Sequence, residues 1–372
     1  MSTPRLTRSD APISRRTVLR GATGAAASIS ALGASLAQAS TGNPGFFVNL
    51  NQDKGEVLAY TWYEPWIDEV VPRFEEETGI RVNRVGAFSR NDEWWARLQA
   101  GEQFDFFMPT ADWAERAMKA DLLMPLDLDL IPNTENLLEE FQTIESLTQD
   151  GEQYAQGFAR EIYSLAWNTT AITEPPTSWE ITWDERHAGE MTLYDQASAR
   201  VGTTALYLGD DPFNPTMWDE IRDAMLEQHE LVDKYWEDYQ IGMEMFINEE
   251  VVLGQISDGR VRMANGLGAE LAYTVPVEGA LMGLDTLAIT HNAKNVENAH
   301  ALIDFMQRPE INALQMTIMG YDSVNQAAHE SLDPEVEEGF SIPEGAELLL
   351  LRDPDPQVRS QMDELWTEVK LS

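Results

Sequence analysis

The residues whose types could do chemistry are aromatic and acidic, and they gather where predicted strands end: Trp62, Tyr63 and Glu64; Thr110, Asp112 and Trp113; then Asp195, Asp258, Asp285 and Tyr321. An aromatic box with carboxylates suits an amine cation, through contact with the ring faces and charge-assisted hydrogen bonds. Sets that would make or break bonds are missing. His187, His229, His291, His300 and His329 are scattered, with no His-x-Glu or His-Glu-x-x-His pairing. There is no Gly-x-Ser-x-Gly elbow and no phosphate-cradling Gly-x-x-x-x-Gly-Lys loop, and Gly266-Leu267-Gly268 lacks the third glycine of a dinucleotide fingerprint. The absence of cysteine excludes a thiolate metal site, a Cys nucleophile and a lipid-modified Cys anchor. The chain is therefore expected to bind rather than catalyse, with no metal and no cofactor.

Positioning these residues requires strands that deliver their carboxyl ends to one place. Strand patterns at residues 57–62, 80–85 and 104–108 alternate with helical patterns at 65–78, 91–100 and 111–120. A second alternating unit follows from about 163 to 275, with strands at 164–167, 190–194 and 252–256, helices at 199–208, 215–229 and 241–248, and a turn at 257–259. A strand at 284–290 and an amphipathic helix at 296–308, stopped by Pro309, complete the pattern. Short connections between strand and helix predict parallel α/β sheets covered on both faces. Ligands of such sheets bind beside the strand carboxyl ends, so two sheets facing each other would enclose a cleft lined by the residues above.

The 372 residues include 64 Asp and Glu against 25 Lys and Arg, a formal charge of −39, and only five Lys. A pI near 4.2 argues against binding nucleic acid by neutralising phosphates. With 43% hydrophobic residues the bulk of the chain can build cores. So large a charge is spread over the whole surface and describes the solvent, as in proteins of very salty media, more than the ligand. Residues 1–39 break the pattern, with five Arg and one Asp before an uncharged stretch of Gly, Ala, Ser and Leu. Ser14-Arg15-Arg16-Thr17-Val18-Leu19-Arg20 resembles the twin-arginine export motif, and Ala37-Gln38-Ala39 offers a small-x-small cleavage site. Cleavage after Ala39 would take the charge from −39 to −43. Residues 40–55 read as a linker, and no later stretch is apolar for long enough to span a membrane.

At this point the chain resembles the polyamine (spermidine/putrescine) periplasmic binding proteins of ABC importers, within the type II solute-binding superfamily. The resemblance runs from about residue 57 to 332. It is carried by Tyr60-Thr61-Trp62-Tyr63-Glu64, Phe74-Glu75-Glu76-Glu77-Thr78-Gly79-Ile80-Arg81-Val82, Phe104-Asp105-Phe106-Phe107-Met108-Pro109-Thr110 and Asp121-Leu122-Leu123-Met124-Pro125-Leu126-Asp127. Leu284-Asp285-Thr286-Leu287-Ala288-Ile289, Asn292-Ala293-Lys294-Asn295 and Met319-Gly320-Tyr321 continue it. The resemblance implies an α/β fold of the periplasmic-binding-protein type II, with two α/β lobes around a ligand cleft and hinge crossovers. Lobe one would comprise 56–162 and 285–329, and lobe two 163–284 and 330–372. It further implies export to the periplasm or cell exterior, a small-molecule amine as ligand, ABC permease subunits as partners, and a monomer that does not bind nucleic acid.

Carried over residue by residue, the resemblance assigns aromatic walls to Trp62 and Tyr321, a polar contact to Thr110 and the ammonium-binding carboxylate to Asp285. Two further aromatic positions of the family pocket fall on Ser257 and Gly283, and its acid pair in lobe two falls near Ala197 and Arg200. Asp195 could replace those acids after a small shift, and Tyr63, Trp66 or Trp113 could restore aromatic surface beside Asp112. An Arg in the cleft would repel a polyamine. Arg200 therefore motivates an alternative ligand, an amino acid-like or phosphonate zwitterion with its anion on Arg200 and its amine on Asp285. An extracellular enzyme or a sensor receptor on the same scaffold is the remaining expectation.

Overall fold

The computed structural model describes residues 54–62, 64–342 and 345–372, so the export segment and Tyr63 lie outside the described residues. The first unit has the predicted order: β1 (Glu56–Trp62), α1 (Pro65–Thr78), β2 (Arg81–Phe88), α2 (Asn91–Gln99), β3 (Phe106–Phe107) and α3 (Ala111–Lys119). Pro65 starts α1 where a missing N–H does no harm, and Gly79 ends it in the left-handed conformation (φ 73°). Trp66, Ile67, Val70 and Phe74 give α1 its buried face.

After the short hairpin β4 (Thr148–Gln149) and β5 (Glu152–Gln153), the chain enters β6 (Ala155–Asn168), a 14-residue strand with 12 buried positions. The second unit then runs β7 (Met191–Tyr194), α4 (Ala197–Leu208), α5 (Trp218–His229), β8 (Lys234–Trp236), α6 (Tyr239–Ile247), β9 (Leu253–Ser257), α7 (Asp258–Gly266) and β10 (Leu271–Thr274). It is followed by β11 (Ala280–Ile289), α8 (Val296–Met306), α9 (Pro309–Met319), β12 (Asp322–Ser323), β13 (Leu348–Leu350) and α10 (Pro356–Lys370). No helix among the described residues is long and apolar enough to cross a membrane.

The sheet differs from the expected pair of parallel sheets. Eleven strands join one path, β2-β1-β3-β11-β6-β9-β7-β8, with β10, β12 and β13 as side branches. Pairings of β1 with β2 and β3, and of β7 with β8 and β9, are parallel, whereas β6 is antiparallel to β11, β9, β10 and β12. The reason lies in β6 and β11, which are not joined by a crossover helix: these two long strands carry the chain between the halves of the molecule. Residues 155–162 of β6 face β11, and from Tyr163 onward β6 faces β9. Separate apolar clusters fill the two halves, one around Trp66, Phe74, Phe106 and Ile303, another around Trp236, Phe246 and Ile256.

Three further departures have local causes. The predicted turn at 257–259 is the start of α7, whose N-cap Ser257 accepts a hydrogen bond from the Arg260 N–H (3.4 Å). Pro309 ends one helix and also begins the next, because a helix tolerates proline at its first position. The C-terminal residues, given no element from the sequence, form α10, which packs on α4 and α5 through Met362, Leu365, Trp366 and Val369.

Candidate ligand-binding cleft

A cavity of about 990 Å³ opens between the two halves and is lined by the ends of both sets of strands. β11 delivers its central acid by a specific device. All ten β11 residues are buried except Asp285, and the ladder to β6 slips between Asp285 and Thr286. Such a bulge re-aims a side chain out of the regular pleat, and here Asp285 enters the cleft. Thr110 bridges to Asp285 through the backbone, and its hydroxyl donates to Asp112 Oδ1 (2.6 Å). Trp62 ends β1 against Phe88, their ring centroids 4.4 Å apart.

Of the residues expected from the sequence, the cleft brings together Trp62, Thr110, Asp112, Asp195, Asp285 and Tyr321, with Trp113 beside them. Asp195 is already engaged: it accepts from Trp366 Nε1 (2.6 Å) and from Lys370 Nζ (2.9 and 3.2 Å). Ser257 does not line the cavity; it is fully buried as the cap of α7. Trp66 lies in the core, stacked on Phe158, with its indole N–H donated to Glu64 Oε2 (2.5 Å).

Arg200 is the main correction. It is 1% exposed and absent from the cavity wall. Its Nη1 donates to Gln255 Oε1 (3.0 Å) and its Nη2 to Gln228 Oε1 (2.6 Å). α4 is built almost wholly from small and apolar residues and is buried along most of its length, so its arginine is a core residue with its own neutral acceptors. Burial lowers its pKa to about 10. A ligand anion has no access to it, and the zwitterion alternative loses its anchor.

Other residues supply what the sequence did not locate. Glu161 stands opposite Gly283 in the β6–β11 register, and a Cβ on Gly283 would come within 3.0 Å of its Cγ. The glutamate side chain thus passes over the position where the family pattern would place an aromatic. Tyr239 donates to Glu161 Oε1 (2.7 Å), and Tyr163 joins Tyr239 through their hydroxyls (3.1 Å). Since the Tyr239 proton goes to Glu161, Tyr163 is the donor in that pair. Tyr194 stacks on Trp236 at 4.2 Å and leans on Tyr163 and Tyr239, which completes an aromatic wall in the second half.

Burial governs the electrostatics. Removal from water pushes Glu161 up to about 7 and Asp112 up to about 6, even though each accepts a hydrogen bond. Asp285 is pushed well above the ordinary carboxylate range, first by burial and then by repulsion from Glu64 and Glu161; the Trp62 indole beside it moderates the rise. Glu64 is raised for the same first reason, with its bond from Trp66 and the charge of Arg260 working against it. These carboxyls sit half-buried and close together, so each holds its proton to a higher pH than a free carboxyl does. Among the described residues no group of His, Asp and Glu has metal-ligand geometry.

Four cations line the cleft. Arg90 is bound to Asp92 (3.0 Å) and reaches Glu237 (3.8 Å), Arg160 is paired with Asp322 (2.5 Å), and Lys370 with Asp195. Arg260 has no ion pair within 4.0 Å among the described residues; its guanidinium carbon lies 5.6 Å from the Tyr239 ring centre and 5.3 Å from that of Tyr321. The ring of Tyr321 is set by a close backbone approach, because a Cβ on Gly259 would fall 2.2 Å from its edge.

Two α/β halves connected by long shared strands, with a ligand-sized cleft between them, define a two-lobed solute-binding protein of the periplasmic type. The sequence profile of bacterial extracellular solute-binding proteins matches residues 69–342, and the chain belongs to that family. It is 29% identical over 299 residues to the spermidine/putrescine-binding periplasmic protein 1 of Haemophilus influenzae, covering 79% of this chain and 82% of the relative. To the putrescine-binding periplasmic protein PotF of Escherichia coli it is 25% identical over 337 residues, covering 84% and 90%. Its fold is similar to that of the spermidine/putrescine transporter substrate-binding protein PotD of Streptococcus pneumoniae, with a TM-score of 0.76, 23% identity, and coverage of 85% of this chain and 99% of that one.

Proposed function

We propose that the protein is an exported receptor of an ABC importer that binds a small amine of the polyamine kind between its lobes and presents it to the permease. The observation that carries this reading is the cluster of Asp285 and Glu161, neither with a cation within 4.0 Å, inside walls of Trp62, Tyr163, Tyr194, Tyr239 and Tyr321. Ring faces and carboxylates stabilise an ammonium together, and a water-poor cleft strengthens both. The names of the similar proteins support the same ligand class. Calorimetric titration with putrescine and spermidine tests it. Saturable one-to-one heat is expected; no response to either, or to other diamines, overturns the polyamine identity.

The lobe limits proposed are 56–162 with 285–329, and 163–284 with 330–372. The change of β6 partner at Ile162/Tyr163 and the bulge at Asp285 support them. Closure of the lobes about these strands would bury the ligand. Export by the twin-arginine route, cleavage after Ala39 and a monomeric state belong to the same proposal, as does the absence of catalysis. The excess of acids over Lys and Arg supports adaptation to high salt; a rise in the unfolding midpoint between dilute and molar KCl is the expected sign, and a flat profile would refute it.

A further inference from the structure

Of the nine buried side-chain polar atoms without a hydrogen-bond partner among the described residues, four belong to cleft residues: Glu161 Oε2, Gln196 Oε1, Trp62 Nε1 and Arg260 Nε. The first two are acceptors and suit an ammonium. The other two are donors; the Trp62 indole faces Asp285, which leaves Arg260 Nε as the donor that a ligand made only of ammonium groups and methylenes cannot satisfy. Arg260 is the stronger case. Its guanidinium lies beside the rings of Tyr239 and Tyr321, yet among the described residues its one side-chain hydrogen-bond partner is the sulfur of Met263 (3.3 Å from Nη1). Glu161 and Glu64 are near enough to favour its charge, but neither reaches it as an ion pair within 4.0 Å.

The other cleft arginines differ: Arg90 and Arg160 both have carboxylates in contact. A planar fork of donors set beside two rings is preorganised for a carboxylate, to which it can donate two parallel bonds. The same guanidinium repels a second ammonium brought to that end.

Resting on the amine reading above, and narrowing it, we propose that Arg260 binds a carboxylate on the ligand, so that the preferred ligand class is an amino acid whose amine is separated from its carboxylate by a short carbon chain. The ammonium lies on Asp285 and Glu161, and the carboxylate lies on Arg260 between Tyr239 and Tyr321.

Three probes of similar length separate the possibilities: 4-aminobutyrate carries a carboxylate, N-acetylputrescine a neutral acceptor, and putrescine a second ammonium. For the wild-type protein, 4-aminobutyrate is expected to bind at least about tenfold more tightly than either of the others. Arg260→Met should reduce that preference about a hundredfold relative to putrescine, while the denaturation midpoint stays near that of wild type because no protein carboxylate is left unpaired. Arg260→Lys keeps the charge but loses the fork, and an intermediate preference is expected; it carries the test if the Met variant does not fold. Putrescine or N-acetylputrescine binding as tightly as 4-aminobutyrate overturns the carboxylate assignment and leaves the amine reading standing. Failure of all three probes, and of spermidine, overturns both.

Discussion

Two regions of the second half each withdraw an arginine from water, and they do so in opposite ways. On α4, Arg200 is fully buried and its guanidinium ends on the side-chain oxygens of Gln228 and Gln255, which are themselves tied to Thr182 and Thr203. On the first turn of α7, Arg260 is half-buried between two tyrosines and touches no oxygen acceptor within hydrogen-bond reach. The first network is closed, so its energy is spent on the fold. The second is open, as are Asp285 and Glu161 opposite it, and open valences in a cleft are what a ligand can complete. Burial by itself does not distinguish a structural charge from a functional one; the presence of partners does.

The most severe way to break this contrast is to remove the open acid at its centre. Asp285→Asn keeps the shape and removes the charge, and a loss of at least about a hundredfold in affinity, or about 3 kcal/mol, is expected for the preferred amine. The denaturation midpoint should hold or rise, because a half-buried carboxyl crowded by Glu64 and Glu161 is itself a cost to the empty protein. Calorimetry and denaturant unfolding on the same sample decide it. An unchanged affinity would remove Asp285 from the site.

The closed network should respond in reverse. Arg200→Met leaves the Gln228 and Gln255 oxygens without a donor inside the core, and a destabilisation of about 2–4 kcal/mol is expected, read as a lower urea midpoint at constant slope. Ligand affinity, measured on the fraction that remains folded, should change less than about threefold. A selective loss of binding with normal stability would restore Arg200 to the cleft.

These two residues also show how far the sequence could be read. Asp285 was legible as one of the acids expected at strand ends and through the resemblance to the polyamine-binding family; the structure places it inside β11 instead, at the bulge that turns it outward. The alternation of strands and helices was legible from periodicity, and it gave the α/β class. The antiparallel course of β6 and β11 was not, because pairing direction between strands separated by more than a hundred residues leaves no local trace. Glu161 was missed for the same reason: its place in the cleft follows from lying across from Gly283, a relation of register. Arg260 was hidden by reading Ser257-Asp258-Gly259 as a turn, when Ser257 caps a helix that carries Arg260 into the cavity. For Arg200 a signal was present: an arginine in a helix of Ala, Gly, Thr, Val and Leu is on a buried face, and hence in need of fixed partners.

A milder test titrates the open acids. Burial holds Glu161 up to about 7 and Asp112 up to about 6 in the empty cleft. A bound ammonium favours their ionised forms, so binding releases protons and affinity rises with pH. About a tenfold gain is expected between pH 6 and 8 if one proton is released, with little further change above that range. The linked stability has the opposite sign. Because the folded values lie above the unfolded ones, these groups weaken the empty protein as pH rises from about 4.5 to 7, and ligand-induced thermal shifts should therefore grow over that range. A pH-independent affinity would mean that the ligand cation does not meet these carboxyls.

The smallest effect belongs to an acid that lines the same cavity but is already paired. Asp195 accepts from Trp366 and Lys370, both on α10, so its charge holds the C-terminal helix against the second half and is largely compensated before any ligand arrives. Lys370 is 40% exposed, and the ion pair is screened accordingly. Asp195→Asn should therefore lower affinity less than about threefold and stability by about 0.5–1 kcal/mol. Its effect on affinity would be at least about thirtyfold smaller than that of Asp285→Asn, although both are aspartates on the wall of one cleft. An equal loss at the two positions would mean that the ligand displaces Lys370 from Asp195, and that a paired acid serves the ligand as readily as an open one.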